Sequence, residues 1–237
     1  MGPMDYDLIS FDLDGTLVDT AGEIAEAANR ALESHGIARR YVGEITDLIG
    51  AGTRELMLKL LARCVLERPA LADSLSPEAV LKTFDGHYAD TTGTAAVPYP
   101  GCREALSRLR QAGVRLACTT NKELRHTERV LAATQLAAFF DLVVGGDSLA
   151  EKKPHPSVLG HVMQALGASA GRTAHVGDSS IDVQASRNAG VVAWVVPYGY
   201  NGGRPIESAG PDRVFPSLLD VAHHVLAARA VGNAPAP

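Results

Sequence analysis

Two aspartates stand two residues apart in the sequence FDLDGTLVDT, where an apolar stretch ends. Asp12 and Asp14 carry like charges at this spacing, and like charges this close repel each other. A strand that serves only the fold gains nothing from such an arrangement. Such an arrangement is useful in a phosphoryl-transfer site. The pKa values of two close acids separate, so that one acid can be ionised while the other keeps its proton. The competing interpretation is a plain strand-ending turn, since Asp, Gly and Thr are all turn residues.

Apolar stretches rich in Val, Ile and Leu alternate with segments of helical period over much of the chain. The stretches are 7–13, 114–120, 141–146, 173–178, 191–197 and a shorter one at 212–215. The helical segments are 101–112, 122–135, 155–167, 180–189 and 217–229. Near-continuous apolarity predicts strands covered on both faces, and the alternation predicts a doubly wound α/β domain around a parallel sheet.

Several polar or small residues fall at the carboxyl ends of these predicted strands. They are Asp12, Thr120, Gly146, Gly177 and Asp178. Ligands of doubly wound sheets bind beyond the carboxyl ends of the strands. The coincidence therefore predicts a ligand site at this edge of the sheet.

Residues 20–96 interrupt the alternation and have a helical pattern throughout. The interruption ends at AAVPYPGC, where Pro98, Pro100 and Gly101 suit a stiff turn back into the core. We predict an α/β core domain formed by residues 1–19 and 97–237. An all-helical cap domain, residues 20–96, would be inserted after the first strand, as a lid over the site. The alternative is a helical embellishment packed permanently on the core.

The composition of this 237-residue chain indicates which cellular compartment and which classes of partner to expect. A formal net charge of -5 gives no basic field for nucleic acid, and no apolar run approaches the ~18–20 residues of a membrane span. No charged-then-apolar leader opens the chain. The cysteines at positions 64, 102 and 118 lack CxxC spacing and fit a reducing compartment. We expect a cytoplasmic monomer or homodimer that acts on a small molecule, with no nucleic-acid or membrane partner.

Four motifs, DLDGTLVDT, TTNK, KKPHP and GDSSIDVQASRNAG, follow one another along nearly the whole chain. Together they resemble the four motifs of the haloacid-dehalogenase-like superfamily, and they match its phosphatase branch with a helical cap best. The resemblance implies a Mg²⁺-dependent phosphomonoester hydrolase with an aspartyl-phosphate intermediate. Asp12 would be the nucleophile. Asp14 would protonate the leaving alcohol and then act as the base for the hydrolytic water.

The same resemblance, read together with residue chemistry, assigns the groups that bind phosphate. Gly15 would let the backbone turn closely around the phosphate, and Thr16 could hydrogen-bond within that turn. By resemblance Thr120, rather than Thr119, donates its hydroxyl to a phosphoryl oxygen. Asn121 follows it at a helix start, where free N–H groups favour an anion.

Lysines are expected to offset the charge of the phosphoryl group. The family pattern places this cation immediately before a proline, which selects Lys153 over Lys152. Lys122 is a further candidate substrate contact. Its alternative is a solvated lysine in the first turn of a helix.

Two more aspartates, Asp178 and Asp182, flank the sequence SSI. Asp178, Asp12 and a backbone carbonyl expected from Asp14 would form an all-oxygen site, which suits Mg²⁺ better than Zn²⁺. Asp182 would orient a metal-bound water, or serve only as an acid at a helix N-terminus. Close phosphatase relatives often have Asn where this chain has Ile181, which puts the local hydrogen bonding in question.

Two stretches bear on the substrate. DLIGAGTRELM and PYPG are similar to sequences of phosphoglycolate phosphatases. The glycine-rich loop at 50–52, followed by Thr53 and Arg54, could bind a carboxylate, with Arg54 pairing in a bidentate manner. That would suit 2-phosphoglycolate. Alternatively, Thr53 is simply an N-cap and Arg54 lies in solvent.

Other activities fit the same motifs. The closest is a phosphatase of another small phosphate, such as a sugar phosphate or pyrophosphate. A hexose-phosphate mutase would also keep both aspartates of the first motif. A haloacid dehalogenase needs no leaving-group acid, so the presence of Asp14 disfavours it. A phosphate-sensing protein without catalysis would often have lost Asp12, Asp14 or Lys153, and this chain has all of them.

Overall fold

A computed structural model describes residues 6–232. The strands are β1 (Leu8–Phe11), β2 (Val18–Asp19), β3 (Val97–Pro98), β4 (Arg115–Thr119), β5 (Leu142–Val144), β6 (Thr173–Gly177), β7 (Val192–Val195) and β8 (Arg213–Val214). The helices in the first half are α1 (Ala21–Ser34), α2 (Val42–Thr46), α3 (Thr53–Glu67) and α4 (Pro77–Thr91). Those in the second half are α5 (Cys102–Gln111), α6 (Leu124–Ala133), α7 (Pro156–Ala165), α8 (Ser180–Ala189) and α9 (Leu218–Gly232).

Six strands form one parallel sheet in the order β5-β4-β1-β6-β7-β8. The central strand β1 is completely buried, and its side chains alternate between two layers of helices. Ile9 and Phe11 pack in a cluster with residues of α5 and α9, whereas Leu8 packs with residues of α7. The predicted α/β fold with a doubly wound parallel sheet is thereby confirmed.

Strand register brings the carboxyl ends of three strands together. Phe11 at the end of β1 lies beside Cys118 of β4 on one side and Val176 of β6 on the other. The chain order reverses at β1, since β4 and β5 lie to one side and β6, β7 and β8 to the other. A crevice forms at such a reversal, so residues that follow β1, β4 and β6 face one space.

The helical segment, which we define as residues 20–96, contains α1 to α4. Its helices share a hydrophobic cluster of their own, which includes Ile24, Leu32, Leu60 and Phe84. Helices α1 and α4 make the most extensive contact in it. This cluster is separate from the one around the sheet, which supports the predicted division into a core and an inserted domain. The boundaries at 19/20 and 96/97 remain a prediction.

A short antiparallel ribbon joins the helical segment to the sheet. Val18 of β2 pairs with Pro98 of β3, and Asp19 pairs with Val97. The sequence predicts a stiff turn over AAVPYPGC, and the structure has a turn at residues 100–101, directly after the two-residue strand β3. A proline is tolerated because the ribbon has only two strands, so Pro98 can direct its missing N–H away from the pairing. The five-residue helix α2 lies within the stretch that the sequence predicts as helical.

Other sequence expectations concern cysteines and membranes. The three cysteines are buried and free. Among residues 6–232, no helix combines the length and apolarity needed to cross a bilayer.

Candidate active site

The nucleophile predicted from the sequence, Asp12, lies directly after β1 at the centre of the crevice. Its Oδ1 accepts a hydrogen bond from the N–H of Leu13 at 2.8 Å and lies 3.0 Å from Nζ of Lys153. Burial raises the pKa of Asp12 to about 6, although Lys153 opposes the shift. The carboxylate is therefore held in place but remains costly to ionise without further positive charge.

Lys153 is buried between two carboxylates. Its Nζ lies 2.7 Å from Oδ1 of Asp182 and donates to the carbonyl oxygen of Thr119 at 2.7 Å. Burial alone would lower the pKa of this lysine, but Asp12 and Asp182 outweigh burial and raise it. The structure therefore places Lys153 as a fixed positive charge beside Asp12, while Lys152 instead donates to the carbonyl of Ala51.

Asp182 lies in the first turn of α8, and both of its oxygens have protein partners. Oδ1 faces Lys153 and also Nε2 of His175 at 3.1 Å. Oδ2 accepts from the N–H and the hydroxyl of Ser179, which completes a capping box. Burial would raise the pKa of Asp182, but Lys153 and then His175 lower it. Asp182 therefore caps the N-terminus of α8 and also holds Lys153 in position.

Asp178 follows β6 and faces Asp12 across the crevice. Thr16 donates to its Oδ1 at 2.9 Å, and the N–H of Tyr200 donates to its Oδ2. The sequence predicts a hydrogen bond of Thr16 within its own turn, whereas the Thr16 hydroxyl is bonded to the carboxylate of Asp178. Burial raises the pKa of Asp178 well above its ordinary value, and the negative charges of Asp182 and Asp12 raise it further.

Carboxylate oxygens of Asp12, Asp178 and Asp182 lie within 4.8 Å of one another. All three side chains are buried, and Lys153 is the ammonium paired with two of them. Such a set retains negative charge that a divalent cation would offset, and hard oxygen donors are those that Mg²⁺ prefers. The residues therefore fit a Mg²⁺ site, with Asp12 and Asp178 as the candidate ligands, because the oxygens of Asp182 already face Lys153, His175 and Ser179. A contribution from the carbonyl of Asp14 remains a prediction.

Gly15 is required by close packing at this site. Its backbone has φ of 83°, and an added Cβ would overlap Oδ2 of Asp178. The predicted close turn is present, and it brings the main chain against Asp178. A side chain here would displace that carboxylate.

Asp14 lies on the side of the crevice that faces the helical segment. Its Oδ1 is 2.8 Å from Nζ of Lys122 and accepts from the hydroxyl of Thr20 at 2.6 Å. Lys122 is itself buried and donates to the hydroxyl of Tyr88 on α4. Burial would lower the pKa of Lys122, but Asp14 and then Tyr88 raise it. Lys122 is therefore not the solvated lysine of the alternative interpretation.

A cavity lies between Asp12 and the helical segment, with a volume of about 20 Å³. Core residues Asp12, Asp14, Thr120, Asn121 and Lys122 line one side of it. The opposite side is lined by Ile24, Ile49, Gly50, Gly52, Thr53 and Leu56. This volume is close to that of a single water site.

Thr120 and Asn121 differ in what their side chains do. The Thr120 hydroxyl lies in the cavity wall and accepts from the N–H of Lys122 at 3.3 Å, which leaves its proton for another acceptor. The Asn121 amide donates to the carbonyls of Gly50 and Lys153, at 3.1 and 2.9 Å. Asn121 thus ties the glycine-rich loop of the helical segment to the core.

The carboxylate-binding pair suggested by the sequence is not assembled here. Arg54 is exposed and does not line the cavity. Thr53 does line it, but its hydroxyl donates to Oε1 of Glu123 at 2.7 Å. The N-cap of α3 is Gly52 and not Thr53, so the first N–H groups of this helix have no side-chain cap. Arg54 points away because it follows Thr53 by one residue, which rotates it about 100° around the helix.

Sequence reasoning missed three residues that shape the site, namely Thr20, Tyr88 and His175. A polar residue inside the apolar run TAHVGD was the available signal for His175. Tyr88 lies on an amphipathic helix that is distant in sequence from Lys122, so no local pattern could have joined them.

Comparison with known proteins identifies related chains. Residues 9–196 match the family of haloacid dehalogenase-like hydrolases. The phosphoglycolate phosphatase of Cupriavidus necator is 40% identical over 210 residues, which are 89% of each chain. That of Nitrosospira multiformis is 38% identical over 218 residues, covering 92% of this chain and 95% of the relative. The crystal structure of a predicted phosphoglycolate phosphatase from Haemophilus somnus superposes with a TM-score of 0.84 at 30% identity, covering 92% and 97% of the two chains.

The cost of ionising Asp12 leads to a prediction about stability. In EDTA at pH 7.5, Asp12→Asn is expected to raise the free energy of unfolding by ~1–3 kcal/mol, because the amide removes a buried charge whose pKa is about 6. A raised pKa destabilises only above the unfolded value, so the gain should shrink as pH falls from 6 and vanish below about pH 4. Urea unfolding at both pH values measures this difference.

The exposed Asp90→Asn provides the matched control, and its effect should stay within about 0.5 kcal/mol at either pH. If Asp12→Asn does not raise the free energy of unfolding at pH 7.5, or raises it equally at pH 4, the destabilising effect assigned to the ionised Asp12 side chain is contradicted.

Proposed function

This chain belongs to the haloacid dehalogenase-like hydrolase family, and from that premise we propose that it hydrolyses 2-phosphoglycolate to glycolate and phosphate. The observation that carries the proposal is the pairing of Asp12 with Lys153 and of Asp14 with Lys122, with both acids lining the core side of one cavity. One acid is thus positioned to meet phosphorus and the other to meet the leaving group. The curated relatives, which are named phosphoglycolate phosphatases, support the same substrate.

In the first step, Oδ2 or Oδ1 of Asp12 attacks phosphorus as the bond from phosphorus to the ester oxygen breaks. Asp14, in its protonated form, transfers its proton to that ester oxygen, and glycolate leaves as the alcohol. Lys153 stabilises the negative charge on the phosphoryl oxygens, and the hydroxyl of Thr120 can donate to one of them. The product of this step is an aspartyl-phosphate at Asp12.

In the second step, water attacks the phosphorus of the aspartyl-phosphate, and Asp14 accepts a proton from that water. The bond between phosphorus and the Asp12 oxygen breaks, which restores the carboxylate and releases phosphate. Asp12 and Asp178 would hold Mg²⁺, which when bound offsets the charge of the carboxylates and of the phosphoryl group.

Asp14 has two hydrogen-bond partners on one oxygen. Its Oδ1 is bonded to Lys122 and Thr20, so the proton that Asp14 transfers would be carried on Oδ2. An anionic group on the substrate could draw the Lys122 ammonium toward itself and away from Asp14. Turnover would then depend on the second charge of the substrate as well as on its phosphate.

The lining of the cavity supports a short anionic substrate. Ile24, Ile49 and Leu56 offer no hydrogen-bond partners, so those hydroxyls of a sugar phosphate that face them would be buried unpaired. Lys122 and the uncapped N-terminus of α3 face the same space and would attract a carboxylate. This arrangement favours 2-phosphoglycolate over a sugar phosphate, while the enzyme class is common to both.

A substrate panel tests the proposal. We expect kcat/KM for 2-phosphoglycolate to exceed that for ethyl phosphate and glucose 6-phosphate by at least about 10²-fold, because neither analogue supplies a carboxylate for Lys122. Released phosphate is the measurement. Equal kcat/KM for glucose 6-phosphate would contradict the specificity for 2-phosphoglycolate, and the chain would then be a phosphatase of broader specificity.

Two matched substitutions, each of which removes one positively charged side chain, test whether Lys122 or Arg54 contacts the substrate carboxylate. Lys122→Met should lower kcat/KM for 2-phosphoglycolate by roughly 10²-fold, since Lys122 lines the cavity and bonds Asp14. Arg54→Met should change it by less than about threefold, since Arg54 is exposed outside the cavity. The reverse ranking would restore the carboxylate role suggested for Arg54 by the sequence.

The metal proposal gives a separate prediction. EDTA should suppress phosphate release and added Mg²⁺ should restore it, whereas Asp178→Asn should require at least about tenfold more Mg²⁺ for half-maximal rate, because one of two carboxylate ligands is lost. Activity that survives EDTA and is indifferent to Mg²⁺ would exclude the metal site.

A further inference from the structure

Tyr200 lies where the chain leaves the sheet for the helical segment, and its hydroxyl is bonded to three groups there. It accepts from the N–H of Thr20 at 2.8 Å and of Ala21 at 3.0 Å, and it donates to Oδ1 of Asp19. A tyrosine hydroxyl has one proton and two lone pairs, so these bonds use all of them. The start of α1 has no side-chain cap from Thr20, and Tyr200 serves that purpose together with Asp19, whose Oδ1 also accepts from the N–H of Ala21 at 3.1 Å.

The main chain at the same residue contacts the proposed metal site. The N–H of Tyr200 donates to Oδ2 of Asp178. Gly199 packs so closely that an added Cβ would overlap Asp178 and the carbonyl oxygen of Gly15. An added Cβ on Gly15 would meet both Oδ2 of Asp178 and the Tyr200 ring. This packing leaves little room for Tyr200 and Asp178 to move independently.

Two neighbouring tyrosines reinforce this arrangement. The Tyr198 hydroxyl donates to the carbonyl of Thr16 at 3.0 Å, and the Tyr198 and Tyr99 rings lie 4.4 Å apart between centroids. Tyr99 directly follows β3, so both strands of the ribbon are held by aromatic residues. Tyr200 is the one that bonds both the ribbon and Asp178.

We propose that Tyr200 is a positioning residue that couples Asp178 to the start of α1. Fixing Asp178 would fix residues 199–200, and through the Tyr200 hydroxyl it would fix the N–H groups of Thr20 and Ala21. Coupling between two sites is reciprocal. Binding of Mg²⁺ at Asp178 must therefore change the local unfolding of the first residues of α1, and unfolding of those residues must change the affinity for Mg²⁺. The inference rests on the proposed Mg²⁺ site but not on the identity of the substrate.

Hydrogen exchange without substrate tests this coupling. In wild type, saturating Mg²⁺ should slow amide exchange in residues 18–24 by about fivefold or more, the lower end of typical coupling between sites. In Tyr200→Phe, Mg²⁺ should still slow exchange in residues 173–178 beside Asp178, but the slowing in residues 18–24 should be lost. Tyr41→Phe, at an exposed tyrosine of the helical segment, should behave as wild type.

The outcomes separate the two proposals. Full Mg²⁺-dependent slowing at residues 18–24 in Tyr200→Phe overturns the role of Tyr200 and leaves the metal site intact. No Mg²⁺ effect at either segment of wild type overturns both. If Tyr200→Phe fails to fold by circular dichroism, Asp19→Ala removes the acceptor of the Tyr200 proton at an exposed position. It should reduce the slowing at residues 18–24, and an unchanged slowing in this variant would overturn the inference.

Discussion

Buried negative charge at the end of β1 is the constraint on which the rest of the structure depends. Asp12, Asp178 and Asp182 are removed from water within 4.8 Å of one another, and ionising them together is costly. Lys153 offsets part of that cost for Asp12 and Asp182 and is held by both. The uncompensated part appears as the raised pKa values of Asp12 and Asp178. A site built in this way favours the arrival of positive charge, and the proposed Mg²⁺ supplies it.

The fold concentrates these groups through strand register and close backbone packing. Since β1 is central and fully buried, whatever follows it enters the crevice where the strand order reverses. Gly15 allows the chain to turn against Asp178. The helical segment then closes the space, and Tyr88 on α4 bonds Lys122, which bonds Asp14. Asp14 thus lies at the contact between the two parts of the chain, so closure of the helical segment and the state of this acid are physically linked.

Sequence alone predicted the fold class, the superfamily and the phosphatase class, and all three are confirmed. It succeeded because buried strands and strand-end motifs are local patterns. The β3 strand was missed, since a proline such as Pro98 normally indicates a turn and only pairing with distant β2 makes it a strand. The link between Tyr88 and Lys122 was missed for the same reason. For Arg54 the sequence left both a carboxylate contact and a solvent position open, because composition identifies a cation near a loop but not the side of the helix on which it lies; the structure has Arg54 exposed.

The central claim is that Asp12 becomes esterified to phosphorus while Asp14 carries the proton. Its most direct test is to mix the enzyme with 2-phosphoglycolate and Mg²⁺, quench in acid during turnover and locate the phosphoryl group by mass spectrometry of peptides. The account predicts an acyl-phosphate at Asp12, absent from Asp12→Asn and longer-lived in Asp14→Asn once formed. A phosphoryl group on any other side chain would contradict it.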